Sequence, residues 1–213
     1  MHSSAVLSPT MRSSEILVLY YTLGGSIRRM AEYIADGIER VPGASARLRT
    51  VPKVASTTTV ASPGIPEAGA PYCELKDLAD CIGLALGSPT RFGNMAAPMK
   101  YFLDGTSTLW HSGALAVKPA CVFTSTASMH GGQEATLLSM MMPLLHHGML
   151  IVGLPYTEPT LYSTQSGGTP YGPSHVAGAA DDLPVSDAER TLCILQGRRL
   201  AEAALKLARP VSP

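Results

Sequence analysis

The chain has 213 residues, a length that suits one α/β domain with long loops or two small ones. Hydrophobic residues make up 46% and charged residues only 15%, so the chain can bury a substantial core and wholesale disorder is excluded. Sixteen basic and sixteen acidic residues cancel, which removes any general attraction to nucleic acid or a membrane surface and leaves little charge to keep copies of the chain apart.

The four cysteines, Cys73, Cys81, Cys121 and Cys193, form no C-x-x-C pair, and Cys81 and Cys121 lie within apolar strand-like runs. They read as buried free thiols of a reducing compartment rather than as disulfides or metal ligands. The six histidines show no ligand spacing with carboxylates or thiols, so no metal is expected. No apolar run is long enough for a membrane span, and the first residues lack the basic region and apolar core of a signal peptide. The expected location is the cytoplasm. Residues 1–14 read as a disordered leader, 15–207 as a single domain and 208–213 as a tail.

In chain order, Ile16–Tyr21 is a continuous apolar run and predicts a buried strand. It delivers Thr22-Leu23-Gly24-Gly25-Ser26 to a helix over Ile27–Arg40, with Ile27, Met30, Ala31, Ile34 and Ile38 on one face and Val41-Pro42-Gly43 as its stop. Leu48 and Val51 alternate with Arg47 and Arg49, as in an edge strand over Ala46–Val51. Residues 52–71, rich in Pro, Ala, Ser, Thr and Gly, show no period and read as an irregular insertion. A helical turn at Leu75–Ala79 precedes a third strand, Cys81–Gly87, which runs into the loop Ser88–Asn94 and a helix over Met95–Leu103. Trp110, the only tryptophan, falls in a turn. A fourth strand, Pro119–Thr124, is followed by a loop of hydroxyls and glycines, Ser125–Gly132, and a helix over Gln133–His147. The cluster Met140-Met141-Met142 with Leu144 and Leu145 makes that helix apolar on more than one face, a pattern suited to burial against another subunit. The fifth strand is Met149–Leu154. An irregular stretch, 155–184, leads to a last helix from Ser186 to Leu207, with Ser186 as N-cap and Glu189 as its capping-box partner.

Apolar strands alternating with helices predict a doubly wound α/β fold: a five-stranded parallel sheet in the order 2-1-3-4-5 with helices on both faces. Ligands of such sheets sit beyond the carboxyl ends of the strands, at the switch point. The polar loops after the first, third and fourth strands all open there. The first of them lacks both the G-x-G-x-x-G fingerprint and a Walker lysine. A hydroxyl-bearing loop at a helix N-terminus without fixed cations suits a terminal monophosphate such as that of flavin mononucleotide.

Several segments, in order, resemble one family: Thr22–Ile27, Pro-Thr-Arg-Phe-Gly-Asn at 89–94, Trp110, the loop 125–132 continuing into Gly-Gly-Gln-Glu at 131–134, His-His-Gly-Met at 146–149 and Gly-Gly-Thr-Pro-Tyr-Gly at 167–172. This pattern resembles the WrbA family, flavodoxin-like NAD(P)H:quinone oxidoreductases once called tryptophan-repressor-binding proteins. The resemblance covers Glu15 to Leu207. It implies a flavodoxin-like fold, noncovalent FMN, a homotetramer, and ping-pong two-electron reduction of quinones to hydroquinones with NADH or NADPH as electron donor. It also implies site residues. Thr22, Leu23, Gly24, Gly25, Ser26 and Ile27 would cradle the phosphate. Pro89, Thr90, Arg91, Phe92, Gly93 and Asn94 would follow the isoalloxazine edge, although Phe92 could equally cover the core. Ser125, Thr126, Ala127, Ser128, Met129, His130 and Gly131 would line the ribityl and ring side. His146 would lie close to the flavin as the catalytic residue, a donor for the negative charge that develops on reduction. Trp110 would wall the substrate site, where flat quinones stack.

The sequence departs from the resemblance at Gly24-Gly25-Ser26, where relatives often carry Tyr-Gly-His. The missing aromatic ring is expected to weaken contact with the nicotinamide nucleotide. Two other readings stay open: a flavodoxin-type one-electron carrier, whose surface is usually strongly acidic, and a flavin-bound regulatory partner without turnover. Direct DNA binding has no basic patch or recognition helix to support it. A phosphoacceptor receiver domain would need acids where Tyr20 and Tyr21 stand.

Overall fold

The computed structural model describes residues 14–54, 66 and 69–208. The expected leader, most of the tail and most of the irregular insertion at 52–71 lie outside the described residues.

Strand β1 (Glu15–Tyr20) lies inside the sheet, between two parallel neighbours, and is buried from Ile16 onward. Its side chains alternate between two cores. Ile16, Val18 and Tyr20 face helices α1 (Ser26–Glu39) and α7 (Asp187–Ala208), together with Met30, Ile34, Phe123 and Leu200. Leu17 and Leu19 face the opposite layer, with Leu78, Met99, Leu137, Met140 and Leu144. That layer comprises α2 (Leu75–Asp80), α3 (Ala97–Asp104) and α5 (Gln133–His146). A strand packed on both sides has no solvent face, which is why its sequence is continuously apolar.

The remaining strands are β2 (Ser45–Thr50), β3 (Gly83–Arg91), β4 (Asn94–Met95), β5 (Pro119–Thr126), β6 (Leu150–Ile151) and β7 (Ser174–Val176). The main path is β2-β1-β3-β5-β6, all parallel, which is the expected 2-1-3-4-5 order. Three details differ from expectation. The third strand does not end at Gly87. It continues through Pro89 to Arg91 and turns back on β4 through Phe92 and Gly93, both at positive φ (55° and 78°). Pairing with β5 up to Pro89↔Ser125 sets that length, and local composition does not reveal it.

The fifth strand is divided. β6 pairs with the start of β5 and is only two residues long, and β7 pairs with its end, from Thr124↔Ser174 to Thr126↔Val176. The chain between them leaves the sheet and includes the short helix α6 (Thr160–Ser163). Trp110 lies in a short helix, α4 (Ser107–Ser112), rather than in a turn.

Helices α1 and α7 cross with backbone touching backbone. A Cβ on Gly37 would lie 2.0 Å from the Ile194 carbonyl oxygen, and one on Gly197 would lie 2.0 Å from that of Ile34. The capping box of α7 is formed: the Glu189 N–H donates to Ser186 Oγ (3.3 Å), and the Ser186 N–H donates to Glu189 Oε2 (2.8 Å). All four cysteines are buried and free. Burial pushes the Cys121 thiol up to about 12. Among the described residues, no helix is long and apolar enough to cross a membrane.

Candidate functional site

The first wall of the site is built where β1 hands over to α1. Gly25 holds φ at 106°, a left-handed conformation that favours glycine, and its N–H donates to Thr22 Oγ1 (3.1 Å). Helix α1 then starts at Ser26 with no side-chain cap and no acidic residue in its first turn. Its positive end is therefore open to an anion.

The second wall is the end of β3, where Pro89, Thr90 and Arg91 reach the edge. Thr90 is tied to α5 through its hydroxyl, 2.7 Å from that of Thr136. Below it, Ser88 Oγ accepts the Ala96 N–H at 2.8 Å, which locks the base of the β3–β4 hairpin.

The third wall is Ser125, Thr126 and Ala127 at the end of β5. A hydrogen-bonded relay fixes it: Ser174 Oγ donates to Gln133 Oε1, Gln133 Nε2 donates to Thr126 Oγ1 (3.2 Å), and Thr126 Oγ1 donates to the Ser128 carbonyl (2.7 Å). Thus β7, the strand not anticipated from sequence, sets the height of the third loop.

The fourth wall is also absent from the sequence reading. Ala177, Gly178, Ala179 and Asp181 close the cleft beside Ser26. Ser26 Oγ donates to Asp181 Oδ1 at 3.0 Å. The other carboxylate oxygen lies over Gly24, where a Cβ would stand 1.5 Å from it. The gap left by Gly24 is therefore filled by Asp181. The signal for this wall was a glycine and an Asp pair soon after Val176, inside a stretch too irregular to align with any strand.

The cleft so enclosed measures about 210 Å³ and is lined by Thr22, Leu23, Gly24, Ser26, Ile27, Pro89, Thr90, Arg91, Ser125, Thr126 and Ala127 in addition to the fourth wall. These residues of the three expected loops are brought together. Gly25, Gly93, Asn94, Ser128, Met129, His130 and Gly131 do not line it. Phe92 is fully exposed, at 107% of its reference surface, so it covers no core. Tyr21, Leu23 and Arg91 continue the surface into a shallower depression that Asn94, Met95 and Lys100 help to line. Burial raises the Tyr21 hydroxyl's pKa, partly offset by Arg91, so it stays protonated at neutral pH.

Trp110 and His146 are brought together, but elsewhere. The Trp110 indole N–H donates to the His146 carbonyl at 2.9 Å. Beside them, His147 Nε2 lies 2.9 Å from Thr106 Oγ1. That hydroxyl gives its one hydrogen to the Leu103 carbonyl (2.7 Å), so His147 donates from Nε2. Burial lowers the His147 pKa, and His146 lowers it further. All of this sits where α5 ends. Gln133, at the start of α5, touches the third loop, whereas the residues after His146 lead to Leu150 beside Pro119, the first residue of β5. A helix of 14 residues is about 21 Å long, so the two residues lie at the opposite edge of the sheet from the cleft of their own chain.

Chemically, the cleft offers an uncapped helix N-terminus and the hydroxyls of Thr22 and Ser26, with Arg91 on the second wall. It already receives a carboxylate, that of Asp181. This donor set fits a phosphate monoester, and hence the phosphate end of FMN.

The NADPH-dependent FMN reductase family model matches residues 15–157. A protein of Syntrophobacter fumaroxidans named NAD(P)H dehydrogenase (quinone) is 45% identical over 202 residues, covering 92% of this chain and 99% of its own length. One of the same name from Solidesulfovibrio magneticus is 41% identical over 199 residues, covering 90% and 98%. Among solved structures, a flavodoxin, WrbA-like protein of Agrobacterium tumefaciens superposes with a TM-score of 0.66 at 25% identity, covering 92% of this chain and 99% of that one.

Proposed function

The chain belongs to the NADPH-dependent FMN reductase family, in its WrbA group, and from that premise we propose that it is an FMN-dependent NAD(P)H:quinone oxidoreductase that reduces quinones to hydroquinones by two electrons in a ping-pong cycle. The observation that carries the reading is the anion cradle at the start of α1, set among three loops on one sheet edge. FMN, when bound, supplies the exchange of two electrons between a nicotinamide and a quinone. The chain's residues bind and orient. Thr22, Ser26 and the first N–H groups of α1 hold the phosphate. Pro89, Thr90 and Arg91 flank one side of the cofactor, and Ser125, Thr126 and Ala127 flank the other. Residues 15–207 act as one flavodoxin-like unit.

His146 and Trp110 keep the roles that the resemblance implies, donor and substrate wall, but toward the cleft of another copy of the chain. Their distance from their own cleft supports this. So does the outer face of α5, where Leu138, Met142 and Leu145 stand exposed. An apolar helix face of that kind suits the homotetramer that the resemblance implies. The cleft volume fits as well, since about 210 Å³ falls below the roughly 300 Å³ at which ligand pockets begin and leaves the ring end to be completed from outside. A cytoplasmic location accords with four buried, free thiols.

An absorbance experiment tests the reading. The purified protein loaded with FMN should be yellow, bleach anaerobically on addition of NADH or NADPH, and recover its colour on addition of benzoquinone. A carrier or regulatory flavoprotein would stay yellow with the nicotinamide alone, and that outcome would refute the enzyme.

A further inference from the structure

Asp181 stands where an anionic ligand of α1 should stand. Its Oδ1 takes the Ser26 hydroxyl at 3.0 Å, and its Oδ2 fills the space above Gly24, which any side chain at that position would claim. A phosphate on the same hydroxyl and the same helix end would meet this carboxylate as a like charge at contact distance. The two anions cannot share the cradle.

The segment that carries Asp181 is built to move without disturbing the sheet. The Ala177 N–H donates to the Thr126 carbonyl (2.8 Å), and the Leu183 N–H donates to the Ala177 carbonyl (3.0 Å), so both ends are pinned at one residue. Between them the loop is held by one backbone hydrogen bond, from the Asp181 N–H to the Gly178 carbonyl (3.2 Å), and by the Ser26 hydroxyl on Asp181. Ala179, Ala180, Asp181 and Asp182 are all exposed. Gly178 and Asp181 both lie at positive φ, 78° and 56°. Such a loop opens at small cost.

We propose that Asp181 is a built-in competitor for the phosphate cradle: its carboxylate holds Ser26 and the start of α1 when the phosphate is away, and it must swing out for a phosphate-bearing flavin to bind. The proposal rests on the FMN reading of the cleft and goes beyond it by naming a residue that sets how tightly the phosphate is held. The competition acts on the phosphate alone. Riboflavin, which has the ring and ribityl chain but no phosphate, leaves Asp181 in place.

The test is titration of the flavin-free full chain with FMN and with riboflavin, followed by quenching of flavin fluorescence, in the natural chain, Asp181→Asn and Asp182→Asn. Asparagine tolerates the left-handed backbone at 181, so the loop keeps its shape. The expected result is FMN binding about tenfold tighter in Asp181→Asn, the effect of one charge-assisted hydrogen bond and one like-charge contact removed, with riboflavin binding unchanged. Asp182→Asn should leave both alone. Unchanged or weaker FMN binding in Asp181→Asn would overturn the proposal. So would an equal shift for riboflavin, or the same tightening from Asp182→Asn, which would mean a general charge effect. If the natural chain and its variants quench neither flavin, the FMN reading itself fails, and the proposal with it.

Discussion

Replacing Glu189 by glutamine should strongly destabilise this protein. The side chain is 1% exposed and accepts four hydrogen bonds. Oε1 takes the N–H groups of Gly167 (2.9 Å) and Val176 (3.1 Å), and Oε2 takes those of Ser186 (2.8 Å) and His175 Nδ1 (2.9 Å). Burial alone would push the carboxyl up. The bonds from His175, Ser186, Gly167 and Val176 overcome burial and hold it at about 2, against an ordinary 4.5. That gap is worth about 3 kcal/mol of stability at neutral pH. In Glu189→Gln the amide NH2 faces either the N–H groups of Gly167 and Val176, or the Ser186 N–H and His175 Nδ1, which can accept from it in the other tautomer, so at least one buried donor is left unpaired at about 1–3 kcal/mol. Both routes give a loss of about 1–3 kcal/mol, a large part of a typical domain's stability.

The sign of the pH dependence follows from the direction of the shift. Because folding depresses the carboxyl, its contribution is fully present above about 4.5 and disappears as pH falls toward 2. Urea unfolding of the natural chain and Glu189→Gln at pH 7 and pH 3 checks this. The variant should unfold at lower urea with an unchanged m-value at pH 7, and the difference between the two chains should shrink at pH 3. A difference below about 1 kcal/mol at pH 7, or one equal at both pH values, would refute the reasoning.

Two other outcomes are expected. Gly197→Ala should lower the free energy of unfolding by about 1–3 kcal/mol in urea titration, because the new Cβ would stand 2.0 Å from the Ile34 carbonyl and must push α7 off α1. Trp110→Ala should raise KM for benzoquinone about three- to tenfold, the range of one lost aromatic contact, while flavin content after loading stays at the natural level.

The sequence made legible what local pattern controls. The continuous apolar run in β1, the alternation of strands and helices, the strand order, the Ser186–Glu189 cap and the three polar loops follow from composition and spacing. Features fixed by distant partners were hidden. Ser174–Val176 carries a serine and a histidine and looks like loop, because the groups that make them tolerable in a sheet, Gln133 and Glu189, lie 41 and 14 residues away along the chain. The run through Pro89 is strand only because β5 and β4 pair with it. Asp181 belongs to the cleft through its bond to Ser26, 155 residues earlier, and nothing in its own neighbourhood announces that. His146 and Trp110 stand out in the sequence only through the resemblance, and their meeting at the C-terminal end of α5 is set by the packing of α4 against it, which no local pattern announces.

The position of Glu189 also bears on when this protein can take up its cofactor. The carboxylate sits in the last helix, yet it organises the backbone at Gly167 and Val176, and the far side of the cleft begins one residue later, at Ala177. During synthesis the first two walls emerge well before β7, whose Ser174 fixes the third, and the stretch that leads into the fourth gains its Glu189 bonds only when α7 has left the ribosome. Loading at full strength is then an event of the chain that carries α7, and a product cut short before residue 187 would hold all four walls, the last two without the carboxylate that fastens β7 from behind.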